Sequence, residues 1–583
     1  DTDNRKLLYR HLNVIYIADF LNEYNVSAND IGIITFSKKY ALEFSEYIKN
    51  KSLSEKELKA LVPEGLKNYV DSQRSELITA AKLLIQKVVD FEDDYYDSNN
   101  NEKKLLDVLL EEGIFPTYSF PRNVVGFSIE NSKGDKVEQE PDRSLDMAIS
   151  EYAPGRLIVV NKKTYKSGGI YNFHSKFGED GKEHPARKYF QNKEYHKWIY
   201  YCENQSCNWV GEKDPGKLCP FCRQETIKSK EMIKPWGFAP IGGANIREAE
   251  AEAEMSYAEL PSYASPISDQ QMIKVPQFEH MRYGRLMDQP LTIMNQGPDS
   301  EGFTICGDCG AAVPGNDEIG LQRIPQPFRH PHGRMAKCSH PSDRITHAFL
   351  GYQFLTDMML IEIELDPKKV NTRQEDLWID TAALSLSEAM VLAAGSLLDV
   401  EFNDLKGGYR LRYTDARVYV DVFLFDSLSS GAGYSSMLTD KIAELVQETY
   451  KVLQCKNNCT TACHDCLKHY WNQRVHNRLD RIAAKQLLDW CTKEQLASGL
   501  SFAKQLNIIA GIRETALLDA DFTIKCSFEK MWIEKGSKKI RIYIYPAMWT
   551  QNNINIPEGC IAISDKMLLS AMPYAYSKIR DEI

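Results

Sequence analysis

Cysteine is the residue whose placement in this sequence carries the most chemistry. Of fourteen cysteines, eleven fall in three tight groups, at 202, 207, 219 and 222, at 306, 309 and 338, and at 455, 459, 463 and 466, while 491, 526 and 560 stand alone. Thiolates close a tetrahedron about zinc, and a pair set two to four residues apart presents two sulfurs from one tight turn. In a long chain with no visible secretion signal, such groups point to metal ligation rather than to disulfides. Cys202-x4-Cys207-x11-Cys219-Pro-Phe-Cys222 has a pair at each end of a short loop-bearing segment, the arrangement of a zinc ribbon. Cys455-x3-Cys459-x3-Cys463-x2-Cys466 is denser; spacings of three and four put sulfurs on one face of a helical turn, and the last pair closes the tetrahedron. In the middle group Cys306-Gly-Asp-Cys309 forms a zinc knuckle and Cys338 adds a third sulfur, so the fourth ligand must be a histidine, with His330, His332 and His340 all near. A Cys338-Ser-His340 pair is cramped, and His332 is favoured. With four positions filled, each of the three zinc sites is structural, because a catalytic zinc keeps one position open.

Beside the third group, the stretch from Lys468 to Arg481 mixes cations with large rings against a lone Asp480. Arg474, Arg478 and Arg481 are candidates for phosphate contacts, and Tyr470 or Trp471 for stacking on a base. The alternative is that the rings are core and the cations solvated. Other motifs read more simply as structure. His174-Ser-Lys176 resembles half of a phospholipase-D-type HxKxxxxD motif, but Asp180 comes one residue early and no second copy exists. Asp399, Glu401 and Asp404, or Asp421 and Asp426, are types that bind magnesium, yet a solvated face or a helix cap explains them. The turn from Ser429 to Tyr434 between a strand and a helix could hold an anion, although tight packing is the blander reading. No GxxxxGK[ST] sequence occurs, and no catalytic residue is assigned.

The elements that position these groups follow from periodicity. From Arg5 to Leu109 apolar residues recur at three and four, with Ser54 and Glu57 spaced as a capping box and a short β-like run at Ile31 to Phe36. Phe91 to Lys104 reads as a surface loop. Val124 to Ile129 and Arg156 to Val160 are β-rich around a helical patch at Arg143 to Tyr152, and Glu248 to Glu259 is an acidic, helix-like connection. Phe354 to Leu365 and Val418 to Phe425 are strands, whereas Ser385 to Leu398 and Thr439 to Leu453 are amphipathic helices. Lys539 to Tyr545 and Ile554 to Ile563 alternate as strands before a closing helix. At roughly 100 to 200 residues per domain, 583 residues divide into about three to five units. The predicted fold is a multidomain α+β protein with a helical region at 1–110, a β-rich connecting domain at 111–190, a zinc ribbon at 191–235, and a linker with the second knuckle at 236–350. A mixed α/β zinc-binding domain at 351–500 and an unassigned α/β region at 501–583 complete it. With 43% hydrophobic and 26% charged residues, disorder is excluded. A net charge of −10 argues against wholesale coating of nucleic acid but leaves room for local basic surfaces. No stretch approaches the ~18 to 20 apolar residues that span a bilayer, so a cytoplasmic protein without a membrane partner is expected.

The run CKNNCTTACHDCLKHYWNQRVHNRLDR at 455–481 resembles the MrfA-type zinc-binding (MZB) domain at the C-terminal end of certain superfamily 2 DNA helicases. The blocks at 349–363, 380–410 and 422–438 are similar to those preceding these cysteines in that family, and 109–121, 142–155 and 5–21 look like segments that follow the motor. The resemblance covers about residues 5–500 and extends to the large helicase of Druantia-type anti-phage systems. It implies a DNA-engaging portion of an ATP-dependent helicase. The Walker A lysine, DEAH-type box and arginine finger of such helicases are not found here. ATP and magnesium would therefore enter only through a motor outside these residues, either upstream on the same chain, which the segment at 5–21 favours, or on a partner helicase. The alternative is a non-enzymatic adaptor that docks a separate helicase or nuclease, as in DISARM-type systems; a nuclease in the unmatched C-terminal region is a third reading.

Overall fold

The computed structural model describes residues 5–583 except 52–61, 63, 91, 97–101, 116–123, 178–180, 205, 206, 208, 247–255, 259–261, 264–270, 331–335, 401–403, 415, 428–432, 520, 521, 528, 551 and 555–558. The N-terminal unit is helical because its apolar residues repeat at helical spacing. Leu8, Leu12, Tyr16 and Phe20 line one face of the Arg5–Glu23 helix, and Leu77, Ala81, Leu84 and Val88 one face of Val70–Asp90; all are buried in a common core. The β-like run at Ile31 to Phe36 is a correction: Ile33–Lys39 is a helix, whose Ile33 and Phe36 turn into the same core one turn apart. Extended pairing survives only as a single bridge between Gly32 and Lys104. The Ser54–Glu57 capping box lies outside the described residues, as does most of the acidic connection; Ser256 to Ala258, its described part, is not helical.

Among the described residues, the centre of the protein is an eleven-stranded sheet. Its strands include β1 (His196–Cys202), β2 (Val210–Gly211), β3 (Ile227–Ile233), β4 (Met281–Asn295), β5 (Phe303–Cys306), β6 (Ala312–Pro314), β7 (Ile345–Leu365), β8 (Leu405–Tyr413) and β9 (Val418–Asp426). β7 is the spine. Its 21 residues pair with β4 from Leu350 to Ile363, with β5 and in parallel with β3 near its start, and with β9 from Met358 to Leu365. The run of nearly unbroken buried residues from Met358 to Ile363 reflects burial on both faces. The ribbon, the second knuckle and the start of the 351–500 region share this one sheet, which crosses the boundaries drawn at 235/236 and 350/351.

Against the β7–β9 end pack three helices, α1 (Trp378–Leu398), α2 (Ile442–Leu453) and α3 (Arg481–Lys493), in the largest apolar cluster of the protein. Contrary to the sequence expectation, α1 is long and apolar enough to cross a membrane by length and composition. Here it is the core helix: Ala382, Ala383, Leu386, Met390 and Ala393 are fully buried between the sheet and the other two helices. The indole N–H of Trp490 on α3 donates to the Glu364 carbonyl at 2.9 Å, fixing helix to spine.

The last region forms a second sheet from β10 (Thr523–Ser527), β11 (Lys530–Lys535), β12 (Lys538–Tyr545) and β13 (Cys560–Ser564), with α4 (Phe502–Asp519) and α5 (Met572–Glu582) contributing to its core. It is docked on the zinc-binding domain. Ala547 and Met548 enter the large cluster, the Trp549 indole donates to the Ala497 carbonyl at 2.8 Å, and buried Lys566 pairs with buried Asp480 at the start of α3.

Candidate functional site

Each cysteine group sits where a strand or helix of this frame ends. Cys202 closes β1, and Cys207, Cys219 and Cys222 come from the turns beyond it. The Cys202–Cys222 and Cys207–Cys219 sulfur pairs are 3.6 and 3.5 Å apart, and the Thr226 hydroxyl lies 3.0 Å from the Cys202 sulfur. With zinc–sulfur bonds of about 2.3 Å, a tetrahedron has edges of about 3.8 Å, while a disulfide requires about 2.0 Å. The four sulfurs therefore fit a metal ion. Without a cation the crowding is unfavourable: the neighbouring sulfurs, then burial, push the Cys207 thiol far above the ordinary range. Buried Arg410 of β8 lies against this site with its guanidinium 3.9 Å over the Phe221 ring, tying the ribbon turn to the main sheet.

Cys306 closes β5, and the turn after it is set by Gly310, whose φ of 78° is left-handed and whose added Cβ would stand 2.2 Å from the Ile170 carbonyl. Among the described residues, His340 completes this site. His340 Nδ1 is 3.4 Å from the Cys306 sulfur and 3.6 Å from that of Cys338, and Cys309 joins the same set. Lys337 bridges to Pro325, and alternate side chains of an extended segment face the same way, so Cys338 and His340 converge without crowding. His332 lies outside the described residues, and His330 is held by Glu183 and, at 2.7 Å, by the side-chain oxygen of Gln326.

The third group follows α2 in a loop of turns rather than on a helix, which corrects the expected helical face. Its sulfurs nevertheless fit equally well, at 3.5 Å for Cys455–Cys463, 3.7 Å for Cys459–Cys466 and 3.9 Å for Cys463–Cys466. Arg481 belongs to this site, a correction of its reading as a phosphate contact. Asp480 caps α3 through the Ile482 and Ala483 amides, which turns Arg481 inward. Its guanidinium donates to the carbonyls of Cys459 and Leu453 and to the Cys459 sulfur.

The remaining candidates of the basic stretch lie at the surface. Tyr470 and Trp471 are 67% and 45% exposed and meet edge-to-face at 5.2 Å, so the reading of these rings as core does not hold. Beneath them buried Asn472 donates to Glu388 at 2.8 Å and to the Leu467 carbonyl at 2.8 Å while accepting from the His469 amide at 2.9 Å, which pins the turn. Arg474 is exposed and reaches the Ala258 carbonyl. Arg478 is held at 2.5 Å by Asp380 and at 3.1 Å by the Tyr409 hydroxyl. Sequence reasoning missed a second pair on this surface: Arg156 stacks 5.0 Å over Tyr257, next to the Ala258 that receives Arg474. The two come from well-separated segments of the chain, and no local pattern announces their meeting.

The simpler readings of the other motifs stand. Lys176 is buried on Glu130 at 3.2 Å, and Asp180 lies outside the described residues. Asp421 binds Arg412 at 3.0 Å. Asp426 accepts the amides of Gly433, Tyr434 and Ser435, so the anion at that helix start is the protein's own carboxylate, and burial raises its pKa. Asp399 ends α1, whereas Glu401 lies outside the described residues. Among the described residues of 501–583 no carboxylate cluster suited to a nuclease metal is present.

Residues 386–467 match the MrfA Zn-binding domain, MZB. The chain thus carries a zinc-binding domain of the kind its third cysteine group resembles. Over 516 residues it is 28% identical to Druantia protein DruE of Escherichia coli (strain UMEA 4076-1), an overlap of 82% of this chain and 27% of that protein. The chain spans about a quarter of the length of this relative. Both matches bear out the family resemblance. Among solved structures it is similar to the DUF1998 helicase MrfA bound to DNA, with a TM-score of 0.30 and 9% identity over 73% of this chain and 46% of that one. The same helicase bound to DNA and AMPPNP gives a TM-score of 0.20 and 7% identity over 70% and 44%.

Proposed function

We propose that this chain is the zinc-stapled, DNA-engaging portion of an ATP-dependent DNA helicase or translocase of bacterial anti-phage defence, working in the cytoplasm. The observation that carries this reading is the exposed Tyr470–Trp471 pair with Arg474, mounted on a turn directly after the cysteine loop. Rings so placed stack on bases, and the arginine meets the backbone phosphates. Zinc, bound by the three sets Cys202/Cys207/Cys219/Cys222, Cys306/Cys309/Cys338/His340 and Cys455/Cys459/Cys463/Cys466, makes rigid the loops that have little core of their own. Asn472 and Glu388 hold the turn, and Arg481 the cysteine loop before it, so that the strand meets a fixed wall, while ATP and magnesium act in a motor outside these residues.

The test is single-strand binding by the zinc-loaded chain. Tyr470→Ala, Trp471→Ala and Arg474→Gln combined should weaken binding about thirty-fold or more, since two base stacks at about 1–3 kcal/mol each sum to at least ~2 kcal/mol. Removing one arginine–phosphate pair should also flatten the dependence of log K on log salt by about 0.7. Unchanged affinity and slope in a variant that melts like the parent would sink the reading. A parent chain that binds no DNA but forms a stoichiometric complex with a separate helicase would replace it with the adaptor.

A further inference from the structure

The sheet of residues 523–564 has two unlike faces. Ile524, Ile533, Ile542, Ile544, Ile561 and Ile563 point to the side covered by α4 and α5. Alternation puts their neighbours on the other side. There Lys525 stands opposite Trp532, and Trp532 opposite Arg541, in one row across three strands. In the next row Glu534 lies opposite Lys539 and is neutralised by Lys525 at 2.6 Å and Lys539 at 3.0 Å. Lys539 also lies 5.0 Å over the Trp532 ring. Tyr543 follows Arg541 on the same face. From 523 to 545 there are six lysines and arginines against two glutamates, in a chain whose net charge is −10.

On this face Lys525, Lys539 and Arg541 surround Trp532 and stand against Glu534 alone among its described residues. A half-buried ring flanked across the strands by lysine and arginine supplies both elements of single-strand recognition, a stacking platform and partners for phosphate. We infer that this face is a second single-stranded nucleic-acid contact, on a region outside the MZB match and independent of the Tyr470–Trp471 surface.

The experiment uses the whole zinc-loaded chain and a fluorescent oligo-dT. Trp532→Ala should weaken binding about ten-fold, the loss of one base stack. Lys525→Gln, Lys539→Gln and Arg541→Gln together keep the ring and should flatten the salt dependence by about 0.7 for each phosphate no longer neutralised. Because tryptophan removal can disturb the fold, melting is measured for both variants, and the glutamine variant decides if Trp532→Ala fails to fold. Unchanged affinity and slope in a folded glutamine variant overturn the inference. So does a parent dimer that this variant converts to monomer without loss of DNA affinity, which would make the face a contact between copies. Repeating the measurement in the Tyr470/Trp471/Arg474 variant separates the surfaces. A loss at Trp532 with none at Tyr470 upholds this inference and removes the proposed-function surface, and the converse removes this one.

Discussion

Arg481→Ala distinguishes a zinc-loop clamp from a DNA contact. Arg481 is 8% exposed, and its guanidinium donates to the Cys459 carbonyl at 2.8 and 3.1 Å, to the Leu453 carbonyl at 3.3 Å and to the Cys459 sulfur at 3.3 Å. Alanine leaves two carbonyls and a thiolate without these donors. A buried acceptor left unsatisfied costs about 1–3 kcal/mol; because Cys459 is partly accessible to water, about 1–2 kcal/mol each is appropriate, or about 3–6 kcal/mol of local stability. Lysine keeps the charge but not the fork, and should recover part of this. The assay is zinc release to a chromophoric chelator followed alongside thermal melting. Arg481→Ala should release one metal much faster than the other two and lower the melting temperature, with Arg481→Lys between it and the parent. If Arg481→Ala instead keeps parental melting and metal release while its single-strand affinity and salt slope fall, the residue reaches DNA and its burial here is wrong.

Three further outcomes follow from the same geometry. His340→Ala should lower bound zinc by one ion in native mass spectrometry, whereas His330→Ala and His332→Ala should not; loss on changing His332 would restore it as the ligand. Lys176→Met leaves buried Glu130 without its cation, with the Tyr171 hydroxyl and the Arg329 amide still donating to it, and should destabilise by about 3–5 kcal/mol, with Glu130→Gln added to it recovering part in denaturant melts. A Lys176→Met that melts like the parent contradicts the buried pair. The hydrogen bond to Glu231 raises the His196 pKa above the ordinary 6.5, so its stabilisation is complete below that value and fades as pH rises through the folded one. The pair is partly exposed and the effect small; His196→Gln should remove that component of the melting slope, and an identical slope would exclude it.

The metal sites were legible because coordination is local: turns impose the cysteine spacings whatever surrounds them. The histidine was less legible, since His340 is brought within range of the sulfurs beside the bridge of Lys337 to Pro325, a partner outside the ligand motif itself. Long strands and amphipathic helices were also readable from period alone. The fate of a cation was not. Arg474 and Arg481 look alike in sequence, yet a helix cap turns Arg481 into the loop while Arg474 stays at the surface, and Arg410 is buried against a ring from the zinc ribbon. That β7 pairs with strands from 227 to 426 was not legible, because no local pattern records which distant segments share a sheet.

That spine has a mechanical meaning. A strand of 21 residues extends to about 70 Å, and its ladders with β4 from Leu350 to Ile363 and with β9 from Met358 to Leu365 overlap over its second half. A pull along its axis loads these hydrogen bonds together in shear, rather than one at a time as in peeling. The second cysteine cluster is attached at the start of β7 through β5, the first packs against Met358 and Leu360, and helices α1 to α3 lie against its far end. Traction delivered at one end is therefore carried through the sheet to the other as a stiff beam, with the clusters acting as rivets on loops that would otherwise stretch first.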